Sequence, residues 1–173
     1  MSSQANTQAN NHFSKVLSVL DKFPAPVKNQ LVGFAFGRYT RYFRTNKLRV
    51  KGIDSNQVTL ALANHALVRN HIGGIHAVAV TLACEYASGL LVGQHVPDSS
   101  IVVVKSIHVD LHKPIQGAVQ TTATITDDQI QAIRFDAKGN IEIHVTVLDE
   151  ASATPITGTM TMAWFPKKMK LSK

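Results

Sequence analysis

The sequence predicts an α+β fold in which a curled antiparallel sheet wraps around one long, central, apolar helix, with extra helices on the N-terminal side. Three observations predict it. The run from Ile75 to Val92 is almost wholly apolar and free of proline, and a helix that is apolar all round is a buried one. Segments on both sides of it alternate apolar and polar residues with the period of two expected of half-buried strands. Turn residues separate those segments, so the strands are expected to be antiparallel neighbours. With 173 residues, 45% of them apolar, the chain can bury a substantial core in one domain.

The elements follow in order. Met1 to Asn11 is rich in Ser, Gln, Asn and Thr and has neither a basic start nor an apolar stretch. It is expected to be a mobile tail rather than a secretory signal. His12 to Phe23 places Phe13, Val16, Leu17 and Leu20 at helical spacing before Phe23-Pro24-Ala25-Pro26 interrupts it. Val27 to Arg41 forms a second helix, which makes 12–47 a helical extension. Leu48 to Gly52 and Gln57 to Ala63 read as a hairpin turning at Asp54-Ser55-Asn56. A loop rich in Asn, His and Gly, Asn64 to Gly74, leads into the apolar helix. All that follows Gly93 reads as strand and turn, with strands at Ser100 to Leu111, Ala118 to Thr126, Ile141 to Asp149 and Ile156 to Phe165. The domain thus spans 12–166, and 167–173 is a basic tail. No internal repeat is present.

The net charge of +7 is uneven, positive through Lys51 and again from Lys167, mildly acidic between. Such a balance suits a phosphate-bearing ligand, but solvated lysines on a tail are its commoner cause. Cys84 is the single cysteine, so no internal disulfide forms and a cytoplasmic location is expected. The longest apolar stretch, Ile72 to Val92, is interrupted by His76 and Glu85, so no membrane span is expected.

The chemistry concentrates between Asn70 and Gly89. A carboxylate within an apolar helix carries a desolvation cost of about several kcal/mol unless it is paired, hydrogen-bonded or protonated. Glu85 has no Lys or Arg within a turn. Its helical neighbours Thr81, Leu82, Ser88 and Gly89 leave room for a ligand. Burial without a partner raises a carboxyl pKa towards the range useful to a general base. Gly73 and Gly74 let the chain turn sharply into the helix, so that N–H groups near His76 and Ala77 lie at the positive end of its dipole, a potential oxyanion site. The nine residues from His76 to Glu85 span about 13.5 Å of helix, so one helix cannot serve one carbonyl with both ends. Two such helices lying antiparallel across a two-fold axis would form a shared site and make a homodimer obligatory. A pairing of dimers into tetramers stays open.

The spacing of Asn70, His76-Ala77 and Glu85 resembles the signature of hotdog thioesterases of the phenylacetate-pathway and 4-hydroxybenzoyl-CoA types, and the strand pattern from about Leu48 to Phe165 is similar to theirs. The resemblance is to a poorly characterised thioesterase-like branch. It implies a hotdog fold and an acyl-CoA thioester hydrolase. Glu85 would be general base or nucleophile, the Ala77 N–H would polarise the thioester carbonyl, Asn70 would orient carbonyl or water, and His76 would shape the loop. Gly74, Ser88 and Gly89 are expected to line the substrate. Coenzyme A would enter only as part of the substrate, and no other cofactor is implied. The sequence departs from that pattern at Ala77, where those families carry glycine. It departs again one turn beyond the acid, where some relatives carry a hydroxyl and this chain has Gly89 with Ser88 beside it.

Other readings stand beside these. Glu85 could be a structural carboxyl bonded to backbone across a dimer, and Asn70 and His76 could serve the loop alone. A non-catalytic acyl or acyl-CoA binding protein is the alternative function, with Ala77 closing the oxyanion site. His71 belongs to the loop. His108 and His112 share a strand face but lack a third ligand, so no metal is expected. Cys84 points about 100° away from Glu85 in an apolar setting and is expected to be inert. From Gly33 to Arg44, aromatics interleave with arginines as in single-strand nucleic-acid sites. The rest of an RNA-recognition motif is missing, so nucleic acid is not expected as a partner. The aromatics are expected to pack on the sheet and some arginines to meet coenzyme A phosphates. The paired Asp and His of hotdog dehydratases are not found on the central helix.

Overall fold

The computed structural model describes residues 11–167. The chain begins with three helices, α1 (His12–Leu20), α2 (Ala25–Tyr39) and α3 (Arg41–Thr45). Asn11, which the sequence places in a mobile tail, is instead the N-cap of α1. Its Oδ1 accepts from the Ser14 N–H and its Nδ2 donates to the carbonyls of Gly93 and Val96, bonds that tie down a buried amide. The other residues of the two expected tails, apart from Lys167, lie outside the described residues. Pro24 caps α2 and Pro26 opens it, because proline's missing N–H is no loss in a first turn. The same Pro-Ala-Pro stretch therefore ends one helix and starts the next.

A hairpin follows, β1 (Arg49–Ile53) and β2 (Gln57–Leu62), antiparallel and bulged between Val50 and Gly52. Asp54 closes its turn by accepting from the N–H groups of Asn56 and Gln57. The long helix is α4 (Ala77–Gly93), and β3 (Ser100–Leu111), β4 (Val119–Thr124), β5 (Gly139–Asp149) and β6 (Ile156–Pro166) complete one sheet. Its order is β1-β2-β4-β5-β6-β3, antiparallel throughout. The strand β3 therefore lies at one edge and pairs only with β6.

Between β4 and β5 the chain is not only turn, since Asp127–Phe135 forms a helix, α5. Thr126 and Gln129 make a reciprocal capping box, and Asp127 and Asp128 sit in the first turn where the dipole favours negative charge.

The sheet curls around α4. Leu60, Ala123, Ile143, Val145 and Met160 on the concave face are almost wholly buried, as are Val80, Ala83, Ala87 and Leu91 of the helix. Trp164 closes one end of this core and donates its indole N–H to the carbonyl of Asp136. Phe36 and Phe43 depart from expectation. They make edge-on contacts with each other at 5.1 Å and with Tyr86 at 5.7 and 5.6 Å, so these aromatics pack on the central helix rather than on the sheet. Phe34, Tyr39 and Tyr42 stay exposed.

Candidate active site

The loop that feeds α4 is held by its own asparagine. Asn70 Oδ1 accepts from the N–H groups of Ile72 and Gly74, while its N–H donates to the Gly74 carbonyl and its carbonyl accepts from Gly73. Gly73 has φ of +85°, a left-handed value that glycine adopts without strain. The Asn70 carboxamide oxygen is thus committed to the loop, and its Nδ2 is the group left to face a ligand. His76, exposed, is the N-cap of α4 and accepts the Val78 N–H at Nδ1, 3.2 Å away. That bond places the proton of the neutral ring on Nε2. The Ala77 N–H is the first helical donor and has no backbone acceptor.

Two turns further on, Glu85 is half-buried on the side of α4 turned away from the sheet core. Burial raises the pKa of its carboxyl above the ordinary value. No ion pair or hydrogen bond to its side chain exists among the described residues. Tyr86 beside it is pushed up by burial first, then by the Glu85 charge and by Tyr42. Tyr86 carries no signal of its own in the sequence, and Tyr42 comes near it because α3 is held by the Phe36, Phe43 and Tyr86 contacts.

The other candidates separate into two groups. Gly89 lies one turn beyond Glu85 on the same stripe, and Gly74 lies against the Asn70 side chain. Ser88 is not presented to a ligand: it is fully buried and its hydroxyl donates to the Cys84 carbonyl. The half-buried Thr81, whose hydroxyl donates to the Ala77 carbonyl, lies one turn before Glu85 on the same stripe. Burial pushes the Cys84 thiol up to about 12, which leaves almost no thiolate at neutral pH. His112 Nε2 bonds the Thr157 hydroxyl and His108 lies beside Asp110. No metal-holding group of three or more His, Cys, Asp or Glu is present among the described residues. Arg38, Arg44, Lys47 and Arg49 line one open depression of about 270 Å³. No helix among the described residues is long and apolar enough to cross a membrane.

Residues 28–165 match the model of a family described as a domain of unknown function, DUF4442. The chain belongs to this family. The curled six-stranded sheet around α4 is the hotdog fold. The fold is shared with a protein of unknown function, a probable thioesterase, from Pseudomonas aeruginosa. The TM-score is 0.70 at 17% identity, covering 84% of this chain and 97% of that one. A thioesterase family protein from Silicibacter pomeroyi superimposes with a TM-score of 0.66 at 13% identity, over 77% and 95% of the two chains. A thioesterase from Haemophilus influenzae does so at 0.65 and 12% identity, over 87% and 96%. No curated protein matches this DUF4442 member in sequence.

Proposed function

We propose that this chain hydrolyses acyl-CoA thioesters at a site shared across a homodimer, with Glu85 as general base or nucleophile. The observation that carries the reading is the half-buried, unpaired Glu85 carboxyl on an otherwise apolar helix, with its pKa raised by burial. A carboxylate so placed holds a proton more tightly than one in water, which makes it a better base. The fold shared with thioesterases supports the same reading.

As general base, Glu85 takes a proton from water while the water oxygen attacks the thioester carbonyl carbon. The C–S bond then breaks, the sulfur leaves with the proton, and the products are the free acid and the coenzyme A thiol. As nucleophile, Glu85 first forms an anhydride and releases the thiol, and water then cleaves the anhydride. Either route develops negative charge on the carbonyl oxygen, and the Ala77 N–H at the positive end of α4 is suited to receive it. Within one chain Ala77 lies about 12 Å from Glu85 along the helix. A second chain, its α4 antiparallel to the first, supplies the donor. Two features support that pairing. The 12-residue β3 is an edge strand, paired on one side only, with Ile101, Val103 and Ile107 exposed, a template for strand addition. Val78, in the first turn of α4, is also exposed. Asn70 Nδ2 orients the carbonyl or water, and the cluster of Arg38, Arg44, Lys47 and Arg49 suits the phosphates of coenzyme A.

Free-thiol release from a panel of acyl-CoAs tests the proposal. Glu85→Gln is expected to lower turnover about 10²- to 10⁴-fold. Equal rates in the two proteins would remove Glu85 from the chemistry. Tight acyl-CoA binding with no turnover by the wild type would replace hydrolysis with a carrier role, in which the Ala77 methyl blocks the oxyanion position.

A further inference from the structure

A groove of about 490 Å³ runs between the N-terminal helices and the C-terminal half of α4. Phe13, Val16 and Leu20 of α1 form one wall, and Val32 and Phe36 of α2 the other. Its floor is Gly89, Leu90 and Gly93. Glu85, Gly89 and Gly93 fall at i, i+4 and i+8, on one stripe of the helix, so the carboxyl stands at the head of this floor. Two of those three positions carry no side chain, which leaves the helix surface open along the stripe.

The far end is closed by groups that satisfy one another. Asn11 donates to the carbonyls of Gly93 and Val96, and the His12 N–H donates to Asp98. Apart from His12, Tyr39 and Asp98, the residues that line the groove are apolar or glycine. The depressions beside β1 are different in kind, since lysines and arginines line them. The segment before His12 is mostly Ser, Gln, Asn and Thr, a composition unsuited to filling an apolar slot.

We propose that this groove holds the acyl chain of the thioester, a straight aliphatic chain of medium length, and that the N-terminal extension sets the preferred chain length. The inference rests on the reading of Glu85 as the site of thioester hydrolysis. A thioester whose carbonyl sits at Glu85 has a polar, phosphorylated half and an apolar half, and the groove is an apolar surface that begins at Gly89, one turn beyond the carboxyl on the same stripe. From Glu85 to Gly93 the stripe runs about 12 Å, a length that a medium chain follows and an acetyl group leaves almost empty. Each methylene that leaves water contributes about fourfold in affinity, so the preference builds up steeply along the groove.

The test compares kcat/KM for acetyl-, hexanoyl- and decanoyl-CoA and measures decanoate binding by calorimetry, in the wild type, Ala35→Phe and Val16→Asp. Ala35 lines the groove yet is exposed, so a larger side chain there fills the slot without entering the core. Val16→Asp places a charge in the same slot. The wild type is expected to favour decanoyl over acetyl by about 100-fold or more, as fourfold steps per methylene imply. Each variant is expected to lower that ratio at least about tenfold and to weaken decanoate binding. A flat chain-length profile with Glu85-dependent turnover would overturn the groove assignment and leave hydrolysis standing. Decanoate binding that the variants abolish, in a protein that cleaves no thioester, would uphold the groove and overturn hydrolysis. Variants that change oligomeric state while keeping the wild-type profile and decanoate affinity would make the groove a subunit contact and overturn the proposal.

Discussion

A carboxyl that gives up water without gaining a partner binds its proton more tightly than in the unfolded chain, and Glu85 is such a group. The folded state then holds more protons than the unfolded one. Its contribution is stabilising below the ordinary carboxylate pKa and is lost as pH rises through the raised value. Glu85→Gln is therefore expected to raise the melting temperature at neutral pH relative to the wild type, with the difference shrinking in acid. Melting curves across that range check it. Catalysis runs the other way, because the ionised form is the base. The acid limb of kcat/KM is expected to lie above the usual carboxylate range. His95 has the opposite sign. It is buried with Nε2 against the Ser55 carbonyl, and burial, then the nearby Arg134 charge, lowers its pKa against the hydrogen bond's opposing pull. Its neutral form contributes stability above about pH 6.5, lost as pH falls through the folded value. His95→Gln is expected to flatten the decline in melting temperature on acidification. A variant that declines as steeply as the wild type would place the acid sensitivity elsewhere.

The elements differ in how plainly their residues announce them. The central helix was legible because nothing but a buried helix accommodates Ile75 to Val92, and β3 because its alternation runs unbroken from Ile107 to Leu111. The small helix α5 was hidden, although Thr126 and Gln129 stand at the spacing of a capping box. Its β-branched approach through Thr121 to Ile125 reads as strand, and its helical stretch is short. Thr126→Ala is expected to cost about 1 kcal/mol, seen as a lower denaturant midpoint at unchanged slope. The helix α3 was equally hidden. Arg41 to Thr45 has no helical signature of its own and is fixed by Phe43, which is nearly inaccessible between Phe36 and Tyr86. Phe43→Ala is expected to destabilise by about 3 to 5 kcal/mol and to free Tyr42 from the neighbourhood of Tyr86. A loss below about 1 kcal/mol would mean that this cluster does not anchor the extension.

In the whole molecule, the legible part of the candidate site is the part carried by one continuous segment. Asn70, His76, Ala77 and Glu85 lie within sixteen positions of each other, and their spacing could be read directly. The apolar groove could not, since α1, α2 and α4 contribute residues as far apart as His12 and Gly93 that meet only after packing. The burial of Ser88 was not legible for a related reason. Helical angle places it near Glu85, but the wrapping sheet decides which flank of α4 is covered. The proposed subunit pairing belongs to this scale as well. Replacing Val103 and Ile107 together by lysine on the exposed β3 edge is expected to yield a folded monomer with little turnover, measured by light scattering and thiol release. A fully active monomer would exclude a shared site. The sheet order has one more consequence. Because β3 hydrogen-bonds only to β6, a chain emerging from the ribosome carries β3 without a neighbour until the last strand is made. During that interval one flank of α4 lies open, so the growing chain is most exposed to aggregation just before β6 emerges, and a chaperone acting on it has its target there.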